Sequence, residues 1–161
     1  MKKYKDHTLQ EYLDVLSKKT PVPGGGSAAA LVAATGDALL LMVAHYSKGK
    51  SKSKSVENRI QKIIARGAAL RRRLVALIDL DAQAYLSVVK ARRAGAGVKK
   101  LALRRAAGVP REVCRLCYQG VDLLPFLVER GNKHLMSDIE VAAEMLMAAF
   151  NAAMINVKVN S

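Results

Sequence analysis

Aromatic side chains are nearly missing from this sequence: they make up 4% of its 161 residues, and tryptophan is absent. That shortage argues against a sheet-built core, which draws on aromatic and β-branched residues, and leaves little with which to stack on bases. Acid is scarce too. Asp and Glu number 13 against 27 Lys and Arg, for a net charge of +14. Such an excess implies an anionic partner: nucleic acid, an anionic membrane surface or an acidic small molecule, and charge alone does not choose among them. With two cysteines and no signal-peptide pattern at Met1-Lys2-Lys3-Tyr4, a reducing, cytoplasmic setting is expected.

What is present is aliphatic. Hydrophobic residues make up 51% of the chain, dominated by Ala and Leu, which favours closely packed helices: an all-α antiparallel helical bundle formed as one domain over residues 1–161. Its organising stretch is Pro21-Val22-Pro23-Gly24-Gly25-Gly26-Ser27. Ser27 stands where an N-cap belongs, and Ala28 to Tyr46 is the most apolar run, so the glycine amides lie at the positive end of a long core helix. Such a turn is either an anion seat or a tight packing turn. Phosphate loops are excluded, because no strand-like run precedes the glycines and no Lys-Ser/Thr follows Gly26. A membrane span is disfavoured by Thr35-Gly36-Asp37 in mid-run.

Along the chain, Thr8 and Glu11 fit a capping box for a helix running to about Lys18, with Leu9, Tyr12, Leu13 and Leu16 on its apolar face. Lysines at 48, 50, 52 and 54 alternate with Ser and Gly in a basic linker that is either mobile or held by an anion. Helical period then continues from Val56 to about Lys90. Asp81 falls on the stripe of Leu77, Ile78 and Tyr85, whereas Asp79 is expected to turn to solvent. A carboxylate in an apolar stripe requires a reason, either function or an ion pair with an arginine. A basic connector, Lys99 to Arg105, is expected to precede a helix starting at Pro110, bent at Pro125 and stopped by Gly131. Cys114 and Cys117 have redox or metal spacing, but without a second pair they read as packed thiols, and no metal site is expected. Ser137 to Glu140 reads as a second capping box for a helix through Met154, and Ile155 to Val159 as a short extended tail.

The order of these motifs resembles the cyclodeaminase/cyclohydrolase family, which comprises the cyclodeaminase half of formiminotransferase-cyclodeaminase and the bacterial methenyltetrahydrofolate cyclohydrolases. The matching pieces are Thr20 to Ala30, Met42-Val43-Ala44, Asp81-Ala82-Gln83-Ala84-Tyr85, Ser137-Asp138 with Val141-Ala142-Ala143, and Asn156 to Asn160. The resemblance implies an all-α dimer that binds a reduced folate as substrate, with no tightly bound cofactor. It places Asp81 on the family's catalytic acid, and Pro23, Gly24, Gly25, Gly26, Ser27, Ser137 and Asp138 on stretches lining the folate pocket. Lys50 and its neighbours suit the glutamate or polyglutamate tail of a folate. The implied chemistry is closure of formiminotetrahydrofolate with loss of ammonia, or hydrolysis of the methenyl form. The competing reading is a basic helical binding protein on the same scaffold without the chemistry, with nucleic acid as ligand. Its basic residues, however, are dispersed and match no nucleic-acid motif.

Overall fold

The computed structural model describes residues 2–92 and 94–159. Among them are six α-helices: α1 (Leu9–Leu16), α2 (Gly25–Ser47), α3 (Lys54–Ala91), α4 (Ala96–Val121), α5 (Leu124–Arg130) and α6 (Met136–Val159). Turns of 3₁₀ helix occupy Tyr4–Asp6 and Lys133–Leu135, and no strand occurs among the described residues. Helices α2, α3, α4 and α6 form an up-down-up-down bundle. Gly26 of α2 meets Asp81 of α3 while Gly67 of α3 meets Leu41, so that pair is antiparallel. The α3–α4 pair is tied by Arg73 and Glu112, and Gly25 lies by Asn156 while Gly36 lies by Met145, which sets α6 antiparallel to α2.

A helix packed on several sides must be slim. Ala29, Ala30, Ala33, Ala34 and Gly36 of α2 are all buried, letting neighbouring backbones come close. Gly67 admits Leu41: a Cβ there would stand 2.9 Å from the leucine Cδ2, a separation that requires displacement. Helix α2 is long and apolar enough to cross a membrane, yet 61% of its most apolar window is buried inside the protein, as a core helix requires.

Several boundaries differ from the sequence expectation. Helix α2 starts at Gly25 with Gly24 as N-cap, so Ser27 lies inside the first turn and is fully buried. The Thr8–Glu11 capping box forms, but α1 ends at Leu16, with Tyr12 buried while Leu9 and Leu13 are exposed. The basic connector is helical. Helix α4 begins at Ala96 and carries Pro110 in its interior, where burial of the ring and of Val113, Leu116 and Cys117 outweighs the missing backbone donor. Pro125 sits in the first turn of the separate helix α5 instead of bending a longer one. Helix α6 starts at Met136, ahead of the expected Ser137 cap, and runs through the tail expected to be extended, because Ala153 remains buried and Val157 packs on the core. Asn160 lies outside the described residues.

The basic linker is held by an anion of the chain's own. The Glu57 carboxylate accepts from the Gly49 N–H at 2.7 Å and the Ser51 N–H at 2.8 Å, and these bonds hold its pKa below the usual range. Gly49 takes φ +77°, the left-handed region that glycine enters without strain.

The acid in the middle of α2 is unusual. Asp37 is fully buried, and neither carboxylate oxygen has a hydrogen-bond partner among the described residues. Burial raises its pKa to about 7, against a smaller lowering by Arg71. The unfolded chain releases this proton near pH 4, so stability should fall as pH rises from about 4 to about 7, by on the order of 4 kcal/mol at most. Melting curves between pH 5 and 8 should therefore show a decline for the parent that Asp37→Asn largely removes.

Candidate functional site

Site geometry begins where α2 begins. The first turn, Gly25-Gly26-Ser27, leaves N–H groups without intrahelical partners, and the aligned peptide dipoles make this end positive. Asp81 projects from the later half of α3 directly onto it. Its carboxylate occupies the space a side chain at Gly26 would need, and a Cβ there would overlap both oxygens. The Ser27 backbone amide favours the charged form of this carboxylate. Asp81 is half-buried and has no ion-pair partner among the described residues, so the arginine pairing does not form. Two effects compete on its proton. Desolvation raises the pKa, the Ser27 amide lowers it, and the net shift is upward.

Asp79 corrects an expectation. It is 7% exposed instead of facing solvent, and its Oδ1 accepts the Tyr4 backbone N–H at 2.7 Å. The phase argument assumed one buried stripe on α3, but the helix is covered on a second side by the N-terminal segment. Val75, Ala82 and Leu86, which flank Asp79 at helical spacing, carry that second stripe. Tyr12 was legible only as an apolar-face residue. Its hydroxyl shares a 2.9 Å hydrogen bond with the buried Ser27 Oγ. Asn156, quoted above only as part of a motif, lies half-buried beside Gly25, and its Nδ2 donates to Ala152 O at 3.1 Å. An asparagine in an alternating tail was its only sequence signal, because the helical phase of that tail went unrecognised.

The expected site residues divide into two groups. Gly24, Gly25, Gly26, Ser27 and Asp81 come together, with Pro23 leading into the turn through a cis Val22–Pro23 bond. Lys50, Ser137 and Asp138 do not join them. Ser47 Oγ, at the far end of α2, accepts from Asn132 N at 2.9 Å, which fixes the lead-in to α6 there. Lys50 lines a cleft of about 500 Å³ at that end with Ser51, Asn132, Lys133 and His134. At 1.5 Å per residue, α2 separates the two groups by about 34 Å.

A cleft of about 820 Å³ lies elsewhere again, between the later half of α3 and the start of α4, and none of the expected site residues lines it. Its walls are Leu77, Leu80, Val98 and Leu101, and Arg73 and Glu112 form a bidentate pair at one end. Among the described residues no cluster of His, Cys, Asp and Glu is placed to hold a metal ion, and Cys114 and Cys117 are free, buried thiols. Burial pushes Cys117 up to about 12, which keeps it an inert thiol.

The Gly26–Asp81 contact can be tested by size alone. Gly26→Ala should displace the carboxylate and reduce any Asp81-dependent turnover at least tenfold, with helical content retained by circular dichroism. Gly25→Ala meets only ordinary contacts, 3.8 Å or more from Asn156, and should melt no lower than the parent.

Residues 8–161 match the sequence profile of the family described as Formiminotransferase-cyclodeaminase. A methenyltetrahydrofolate cyclohydrolase of Methylorubrum extorquens is 34% identical over 97% of this chain and 80% of its own length. The formimidoyltransferase-cyclodeaminase of Mus musculus is 30% identical over 96% of this chain, which spans 30% of that longer protein. A crystal structure of formiminotetrahydrofolate cyclodeaminase from Thermotoga maritima superposes with a TM-score of 0.93 at 33% identity, covering 97% of this chain and 79% of that one. With a family profile matched over nearly the whole sequence and the all-α bundle in common, the chain belongs to the formiminotransferase-cyclodeaminase family.

Proposed function

We propose that this protein is a one-carbon enzyme acting on a formimino- or methenyl-tetrahydrofolate, with Asp81 as its general acid and base. Membership of the family and the activities named for its relatives support the folate class. The observation that carries the residue assignment is Asp81 itself: a half-buried carboxylate with a raised pKa, seated on a helix N-terminus. In either reaction a nucleophile, the second folate nitrogen or water, adds to the one-carbon unit and gives a tetrahedral carbon. The proton it loses is taken by Asp81, which returns one to the amine that departs. A pKa lifted toward the working pH suits a group that must both accept and donate. The helix N-terminus favours the anionic form of Asp81, so its proton is held without being locked in place.

The same reading gives Gly24, Gly25, Gly26, Ser27 and Pro23 to the reacting end of the folate, and Lys50, Ser137 and Asp138 to binding at the other end of the bundle. Because about 34 Å separates these ends within one chain, we assign the second group to a folate site completed by a second copy. Val141, Met147, Ile155 and Val159 are exposed apolar side chains on α6 that a homodimer would cover.

Incubating the pure protein with methenyltetrahydrofolate and following loss of its near-ultraviolet absorbance tests the cyclohydrolase reaction, and ammonia release from the formimino form tests the cyclodeaminase. Asp81→Asn keeps size but exchanges no proton, so it should fold, bind folate and lose about 10²-fold or more in kcat. Activity in neither assay, or full activity in the variant, would reject the assignment. Sedimentation at micromolar concentration should show a dimer. Replacing the lysines at 48, 50, 52 and 54 by Gln should weaken long-tailed folates more than monoglutamates, a difference that added salt erases.

A further inference from the structure

The Pro23-to-Ser27 turn is held at both of its ends by tyrosines that the proton-transfer reading leaves unused. At its start, Tyr4 Oη donates to the Val22 carbonyl at 3.2 Å. At its end, Tyr12 Oη and Ser27 Oγ share the 2.9 Å bond. The two rings meet edge to face, with centroids 6.4 Å apart, and both side chains are buried. Tyr4 is in turn fixed to α3, since its backbone N–H donates to Asp79 Oδ1. Asp79 and Asp81, two residues apart on one helix, thus hold opposite sides of the same arrangement: one anchors the N-terminal segment that carries Tyr4, and the carboxylate of the other lies on Gly26.

Packing alone does not account for this arrangement. A phenylalanine would fill either tyrosine's space, and a leucine would suit the covered side of α3 better than a carboxylate whose second oxygen, Oδ2, is buried without a partner. The polar atoms have one effect in common: each bond ends on the glycine turn or on the segment that clamps it. Three glycines give that turn little stiffness of its own, whereas general acid–base catalysis needs its groups held to fractions of an ångström.

Resting on the folate reading, we propose that Tyr12 and the Tyr4–Asp79 pair are positioning residues, which brace the glycine turn so that the first turn of α2 stays seated on the Asp81 carboxylate. Tyr12 holds the Ser27 side chain turned into the core and thereby sets the direction of the adjoining backbone N–H. Tyr4, anchored by Asp79, stops the other end of the turn from moving away from α3. None of the three touches the reacting atoms.

Tyr12→Phe keeps the ring and removes the bond. It should lower kcat about tenfold with KM within about twofold of the parent, and should move the acid limb of the kcat profile to higher pH by about one unit, because the Ser27 amide then favours the Asp81 anion less. Asp79→Ala should behave likewise. Asp79→Asn, whose amide oxygen can still accept the Tyr4 N–H, should recover most of the loss; a side chain needed only for its charge would not be rescued. A readout independent of turnover is the titration of Asp81 followed by carboxyl-carbon NMR of aspartate-labelled protein, its resonance identified by its disappearance in Asp81→Asn. An upward shift in Tyr12→Phe and Asp79→Ala, and little shift in Asp79→Asn, is the expected pattern. If Tyr12→Phe does not fold, the two Asp79 variants decide the matter by the same titration. Unchanged kcat and unchanged Asp81 titration in folded Tyr12→Phe and Asp79→Ala would overturn the proposal and leave the folate reading standing. A parent without folate turnover would instead fail the folate reading, while the titration would still decide whether the brace exists.

Discussion

Close approach of backbones at α2 is the constraint on which the bundle depends. A helix flanked by α3, α4 and α6 cannot carry large side chains on every face, and here the crossings are occupied by alanines and by Gly36, with Gly67 and Gly120 answering from neighbouring helices. A Cβ at Gly36 or Gly120 would stand 3.1 Å from the side chains of Met145 or Leu146, tighter than ordinary contact. The glycine turn extends that rule to the helix end. Where Gly67 admits a leucine, Gly26 admits a carboxylate, so the site is the terminal member of a series of close crossings that also assembles the core.

Electrostatics at that end differ from those along the rest of α2. Asp37 and Asp81 are both desolvated and both have raised pKa values, yet their surroundings have opposite consequences. Asp37 sits mid-helix, where backbone amides are already engaged, and it has no donor. Asp81 faces the first turn, where unengaged amides are available, and the Ser27 amide favours its anion against the desolvation that raises its pKa. The distinction between a strained core acid and a usable one is a matter of which end of a helix it meets.

Much of this was legible in the sequence, and the parts that were not share a cause. Helix α3 spans Lys54–Ala91 against an expected start near Val56 and end near Lys90, because a long amphipathic run without proline admits one reading. The glycine turn and Asp81 were each noticed as anomalies, a loop too flexible and an acid too apolar in its surroundings. Their juxtaposition was carried by motif order, since no local rule pairs residues 26 and 81. Asp79 was placed in solvent because a single stripe was assumed for a helix that is covered on two sides. Pro110 was read as a helix start by local propensity, which tertiary burial overrode. Ile155 to Val159 looked extended because five residues cannot distinguish period 2 from a helix whose buried face falls on Ala153 and Val157.

An antiparallel bundle imposes one more consequence on where charge can lie. Asn156, at the end of α6, accompanies the glycine turn, while the lead-in to α6 accompanies the basic linker, so the chain has an end that carries Asp81 and a cationic end separated by the length of α2. Separating them keeps the lysines from depressing the pKa of Asp81, which has no cation beside it. The folate proposed above as substrate would require both a reacting end and an anion-binding end. In the proposed dimer, a two-fold contact along α6, with its axis across the helix, would set two copies of that helix antiparallel and lay the cationic end of one chain beside the glycine turn of the other. In that arrangement the lysines would meet the acidic tail of the proposed ligand and remain apart from Asp81, and the separation built into each chain would make both proposed roles compatible.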